Sequence, residues 1–218
     1  ISEGLVGSEM CIRDRLGDEV VPCVLAADAE GPNEVDAGGF GVVGTLVDPE
    51  LAEATYMKSH RPGRTVARLD GSVSSLVSGE KELRRTYGVS RVPRAVLELP
   101  QEKWDVLSSG RWRRREHITV GEARTTQKLF DAAATLPHLH RRVLAILEDN
   151  EPWSAACAKG RSPTYRINTI LRRKAAIEAV AECSFFLPWT DTKHQPADQA
   201  SRARSPAAAG GRAFHHDE

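Results

Sequence analysis

The chain has 218 residues, and its 30 Lys or Arg balance its 30 Asp or Glu to a formal net charge of zero, so bulk charge singles out no class of partner. No apolar run approaches the ~20 residues of a membrane span, which gives no ground for a membrane partner. The four cysteines show no CxxC spacing, which argues against a disulfide framework or a zinc site and for a reducing, intracellular setting, cytoplasmic or nuclear.

Residues 1–15 stand apart. Glu9-Met10-Cys11-Ile12-Arg13-Asp14-Arg15 looks like a transposase mosaic end from library preparation translated in frame, so the stretch is expected to be an artefactual leader. The chain then reads as a fragment of something longer. One domain is expected over 16–203, with an insertion at about 48–103 and a disordered tail at 204–218.

Val20 to Asp28 is an apolar run ending in acid. The turn residues Gly31, Pro32 and Asn33 and a Gly-rich strand from Gly38 to Val47 follow it, so the pair reads as an antiparallel hairpin with a long loop. Those glycines lack the GxxxxGK[ST] spacing of a phosphate loop. Within the insertion, Pro49 to Lys58 and Glu80 to Tyr87 suit short helices. Trp104 to Trp112 reads as a third strand, followed by Arg113-Arg114-Arg115. Ile118 to Ala134 reads as a helix with an apolar face at Ala123, Leu129, Ala133 and Ala134.

Arg141 to Leu147 is a strand-length apolar run, and Glu148 and Asp149 end it. Asn150 and Pro152 then start a helix, Asn as the cap and Pro in the first turn. Asp149 is therefore expected at the carboxyl end of a buried strand, where open α/β sheets place their ligands. Gly160 stops that helix. Ser162 and Pro163 open a longer one to about Glu182, with Ile167, Ile170, Leu171, Ile177 and Val180 at helical spacing and Arg172, Arg173 and Lys174 on the exposed side. Ser184 to Trp189 is a further short strand, and Pro196 opens a last helix. Three antiparallel strands followed by βα alternation give an α/β fold with a mixed five-stranded sheet flanked by helices.

Four acids recur at element ends: Asp28, Glu122, Asp149 and Asp198. Each alone reads equally as a turn or helix-end carboxylate. Two carboxylates ~4 Å apart repel by about 4 kcal/mol at an effective dielectric of ~20, so a true cluster must protonate or bind cations. Between Lys103 and Lys174 fifteen Lys or Arg face seven Asp or Glu, a local basic excess that suits a polyanion or a solvated face.

Three blocks carry a resemblance. They are His117-Ile118-Thr119-Val120-Gly121-Glu122-Ala123-Arg124; Leu147-Glu148-Asp149-Asn150 with Ala158-Lys159-Gly160-Arg161-Ser162; and Pro196-Ala197-Asp198-Gln199-Ala200-Ser201-Arg202. In order and content they resemble the ribonuclease H domain of reverse-transcribing retroelements. Leu25 to Ala29 with Gly39 to Val43 is similar, more loosely, to that family's opening hairpin.

The resemblance implies a ribonuclease H-like sheet and hydrolysis of the RNA strand of RNA–DNA hybrids. It implies two Mg²⁺ (or Mn²⁺) ions on Asp28, Glu122, Asp149 and Asp198, with His194 helping product leave. A reverse transcriptase domain of the same polyprotein is the implied neighbour. Arg113, Arg114, Lys159 and Arg161 are the residues placed to meet nucleic-acid phosphates, and Trp112 is available for stacking. Gly121 replaces the family's usual Leu, which costs the helix start roughly 1 kcal/mol. A catalytically inactive nucleic-acid-binding or structural module of the same fold is the alternative, and a transposase- or integrase-like strand transferase a third.

Overall fold

The computed structural model describes residues 19–59 and 92–203. The expected leader, tail and helix at Glu80 to Tyr87 lie outside them. Apolar β-branched runs form the sheet. Strands β1 (Glu19–Glu30), β2 (Gly39–Leu46) and β3 (Asp105–Arg111) are antiparallel neighbours, and β4 (Arg142–Leu147) and β5 (Ser184–Phe186) run parallel to β1. The order is β3-β2-β1-β4-β5. This is the mixed five-stranded, helix-flanked sheet expected from the alternation of elements. The last strand is shorter than expected: after Phe186 only an isolated bridge, Glu148 to Trp189, continues the pairing.

Side chains alternate across a strand, and the two faces carry separate cores. Leu25, Ala27, Val42, Leu144 and Ile146 pack under helices α3 (Ile118–Thr135), α4 (Glu151–Lys159) and α5 (Tyr165–Ala181). Val24, Ala26, Val43 and Leu147 face the other way. That second core takes in Val96 of α2 (Arg94–Leu97) and Ala200 of α6 (Asp198–Ser201), with Leu51 of α1 (Pro49–Ser59) packed against it. The region expected to be an insertion thus supplies much of one layer: α1 and α2 cover the sheet.

The helix ends follow local chemistry. Asn150 caps α4 by accepting the Trp153 N–H at 3.0 Å, and Gly160 closes it in the left-handed region (φ 65°). The start of α5 differs from expectation. It begins at Tyr165, two residues after Pro163, because Asn168 reaches back to accept the Ser162 N–H at 2.7 Å and holds that segment as a turn. Lys174 is also no member of an exposed basic group. Its side chain is mostly buried, paired with Glu178 at 2.5 Å. Val180 and Ala134, expected to face the core, are exposed, since each falls on the outer side of the last turn of its helix.

At the end of the sheet where β4 begins, Arg141 (φ 59°) and Glu182 (φ 52°) both adopt left-handed backbone. They join α5 to β4, with the Arg141 N–H donating to Ala181 O at 2.9 Å and the two side chains 3.4 Å apart.

Candidate metal centre

The carboxyl ends of β1 and β4 lie side by side, because those strands are parallel. Asp28 lies in β1 opposite Gly41 of β2, two residues before the strand end rather than at it. Its carboxylate shares a face with Val24 and Ala26 and accepts a hydrogen bond from the Ser201 hydroxyl of α6. Helix α6 reaches that carboxylate only because Gly41 has no side chain: a Cβ there would stand 2.7 Å from Ala200 C. Burial pushes Asp28 up to about 6; Ser201 opposes the shift, while Asp149 and Asp198 add to it.

Asp149 lies just past the carboxyl end of β4, after Glu148, close to where it is expected. Burial raises it from the usual carboxylate range, with Thr192 donating a hydrogen bond against the shift and Asp198 adding to it. Glu122 comes from the opposite face, in the second turn of α3, whose start is capped by His117 accepting the Thr119 N–H at 3.2 Å. Gly121 brings α3 close to β1: a Cβ there would meet Ala29 Cβ at 3.4 Å. The Ala29 N–H donates to the Glu122 carboxylate, yet Glu122 Oε2 is buried with no partner. Burial, then the charges of Glu148, Asp28 and Asp149, push Glu122 strongly upward.

One carboxylate oxygen each from Asp28, Glu122 and Asp149 lie within 4.8 Å of one another. Two acids from one face of the sheet and one from the other therefore meet at its rim. Asp198 does not join them. It begins α6 and binds Arg202 one turn on, through Nε at 2.8 Å and Nη2 at 2.7 Å. Its charge still acts on both Asp28 and Asp149.

Glu148 is the residue whose part the sequence did not disclose. It is fully buried. Its Oε2 lies 3.1 Å from Thr126 Oγ1, and its Oε1 accepts the Asn150 N–H at 3.2 Å. Burial pushes its carboxyl well above the usual range. Alternation was the available signal: Leu144, Ile146 and Glu148 share a face, so Glu148 had to point at α3.

His194 lies in a short 3-10 turn, Thr192–His194, with its Nδ1 2.6 Å from Asp191 Oδ1. The loop is pinned to the sheet by Gln195, whose Nε2 donates to Ala27 O at 3.0 Å. Arg113, Arg114, Lys159 and Arg161 are exposed. Arg111 is occupied by Glu30 and Asp36, and Arg115 donates to Glu34 O at 2.6 Å. Trp112 is not an open stacking surface, because its ring packs on Phe40 with centroids 4.8 Å apart.

No family model and no curated protein matches the chain. Among solved structures it is similar to the N-terminal RNase H domain of Rv2228c from Mycobacterium tuberculosis, solved as a fusion with maltose-binding protein. The TM-score is 0.39 and the identity 13%, over 81% of this chain and 89% of that one.

The buried acids fit a cation. Three converging carboxylates, one with an oxygen lacking any donor, form an oxygen-only donor set. Such a set suits a hard divalent ion. Among the described residues no helix is long and apolar enough to cross a membrane.

Proposed function

We propose that the protein is a metal-dependent endonuclease of the ribonuclease H class, cutting the RNA strand of RNA–DNA hybrids. In this reading, residues 16–203 are one domain of a retroelement reverse transcriptase polyprotein. The observation that carries it is the meeting of Asp28, Glu122 and Asp149 at the sheet rim. These are three of the four acids that the motif blocks single out. Mg²⁺ or Mn²⁺, two ions by the same resemblance, would be held by these acids with Asp198 at the margin. Bound there, such ions supply a more acidic water and neutralise charge on the scissile phosphate.

The chain's own residues do the remaining work. The Ser201 and Thr192 hydroxyls orient Asp28 and Asp149, and the Ala29 N–H holds Glu122. Arg113, Arg114, Lys159 and Arg161 offer charge to the phosphates of the hybrid. The exposed His194, oriented by Asp191, helps product leave. The 2′-hydroxyls across the wide minor groove distinguish the RNA strand.

The deciding experiment is cleavage of a labelled hybrid with and without Mg²⁺. Glu122→Gln and Asp149→Asn should abolish cleavage while circular dichroism stays unchanged. Unaltered cleavage in either variant removes the reading. One observation favours a second reading, a catalytically inactive nucleic-acid-binding module: Asp198 is already paired with Arg202. That reading expects salt-sensitive hybrid binding and no metal-dependent turnover.

A further inference from the structure

Thr126 lies one turn after Glu122 on α3, and its hydroxyl sits at a junction. Oγ1 is 3.0 Å from Glu122 O, 3.1 Å from Glu148 Oε2 and 3.0 Å from Trp153 Nε1. Glu148 immediately precedes Asp149, and its other oxygen accepts the N–H of the residue that follows Asp149. Asn150 in turn accepts the Trp153 backbone N–H through Oδ1, which closes a ring. The corner of the ring on α3 is the Thr126 hydroxyl, beside the Glu122 carbonyl, and on the other side the ring spans Asp149. Thr126, Glu148 and Trp153 are each 0% exposed.

Val, Leu and Phe at these three positions would fill similar space with no polar group to satisfy, and buried polar sets are commonly no more stabilising than such replacements. What an apolar set lacks is direction. Hydrogen bonds of fixed length tie the helix carrying one acid to the turn carrying another.

We infer that Thr126, Glu148 and Trp153 are positioning residues: they clamp α3 to the turn after β4 and thereby fix the separation of Glu122 from Asp149. The inference rests on the metal-site reading for its purpose, and on the hydrogen-bond ring for its substance.

The test uses the full chain and Mn²⁺ alone, with free Mn²⁺ followed by electron paramagnetic resonance. Thr126→Val and Trp153→Phe each remove one polar group and keep most of the volume. Both should weaken Mn²⁺ binding by about tenfold or more, the usual effect of losing a group that orients a ligand. Thr126→Ser, which keeps the hydroxyl, should restore binding. Ile170→Val, a buried change on α5 away from the ring, serves as the control: its Tm should fall with Mn²⁺ affinity unchanged. Hydrogen exchange of the Asn150 amide gives a readout without metal and should quicken in Thr126→Val but not in Ile170→Val.

Wild-type Mn²⁺ affinity in Thr126→Val overturns the inference, and so does an equal loss in Ile170→Val. If the unmodified chain binds no Mn²⁺, the metal reading falls instead. The clamp is then judged on Asn150 exchange alone: quicker exchange in Thr126→Val supports it, and unchanged exchange overturns it.

Discussion

The two ends of the acidic rim handle negative charge in opposite ways. On the α3 side, Glu122 and Glu148 are buried with hydroxyl and backbone N–H groups as their hydrogen-bond partners, and burial drives both toward the neutral form. On the α6 side, Asp198 is a third exposed and holds its own counter-charge in Arg202. The same functional group is driven toward its neutral form in one place and paired with its own cation in the other. The difference comes from packing. Helix α3 is long and lies on a core, whereas α6 is one turn resting on glycine backbone.

The comparison breaks most sharply at Glu122. Glu122→Gln should raise metal-free stability at neutral pH by about 2 kcal/mol, because the folded state must protonate a carboxyl that the unfolded chain leaves ionised, whereas glutamine is neutral in both. Asp198→Asn should stay within about 1 kcal/mol of the parent, as an exposed ion pair is worth little. Urea denaturation of both variants checks this, and equal shifts would erase the distinction drawn between the two ends.

The glycine support of α6 is next. Gly41→Ala forces a methyl into Ala200 and should cost up to about 3 kcal/mol by overpacking, while withdrawing Ser201 from Asp28. Thermal melts measure the first effect. An upward move of the Asp28 titration, followed by carboxyl NMR, measures the second.

The pH dependence sharpens the picture on the sheet itself. Asp28 titrates near 6 when folded, above its ordinary 3.8. The folded state therefore binds more protons between those values, and stability falls as pH rises through that window. Without metal the fall should be roughly 3 kcal/mol from this residue. Asp28→Asn should flatten it, as should saturating Mg²⁺.

Arg202→Ala carries the smallest effect. Stability should change by less than about 1 kcal/mol. Removing the cation should also strengthen Mn²⁺ binding severalfold, since Asp198 then acts on the rim without its partner. Isothermal titration distinguishes that gain from no change.

Much of this was readable from residue order. The apolar run into Asp149, with Asn150 and Pro152 after it, placed a strand end and a helix cap correctly, because both signals are local. Glu122 was legible only through the block around it, since an acid near a helix start usually serves the helix dipole. Glu148 was not legible in the sequence, because its meaning depends on contacts with Thr126 of α3 and with the Asn150 N–H. The separation of Asp198 from the other three was visible in principle: an Asp and an Arg four apart on a helix pair with each other. The covering role of α1 and α2 was hidden because α1 has little segregation of apolar residues to one side and α2 is a single turn.

Arg141 and Glu182 offer a different lesson. Left-handed backbone costs a side-chain-bearing residue about 1–2 kcal/mol, and here two such residues meet where β4 begins, a whole strand away from the acids. Glycine at either site would ease that torsional load. Thermal endurance is thus open to engineering at the heel of the molecule while its acidic rim keeps every atom in place.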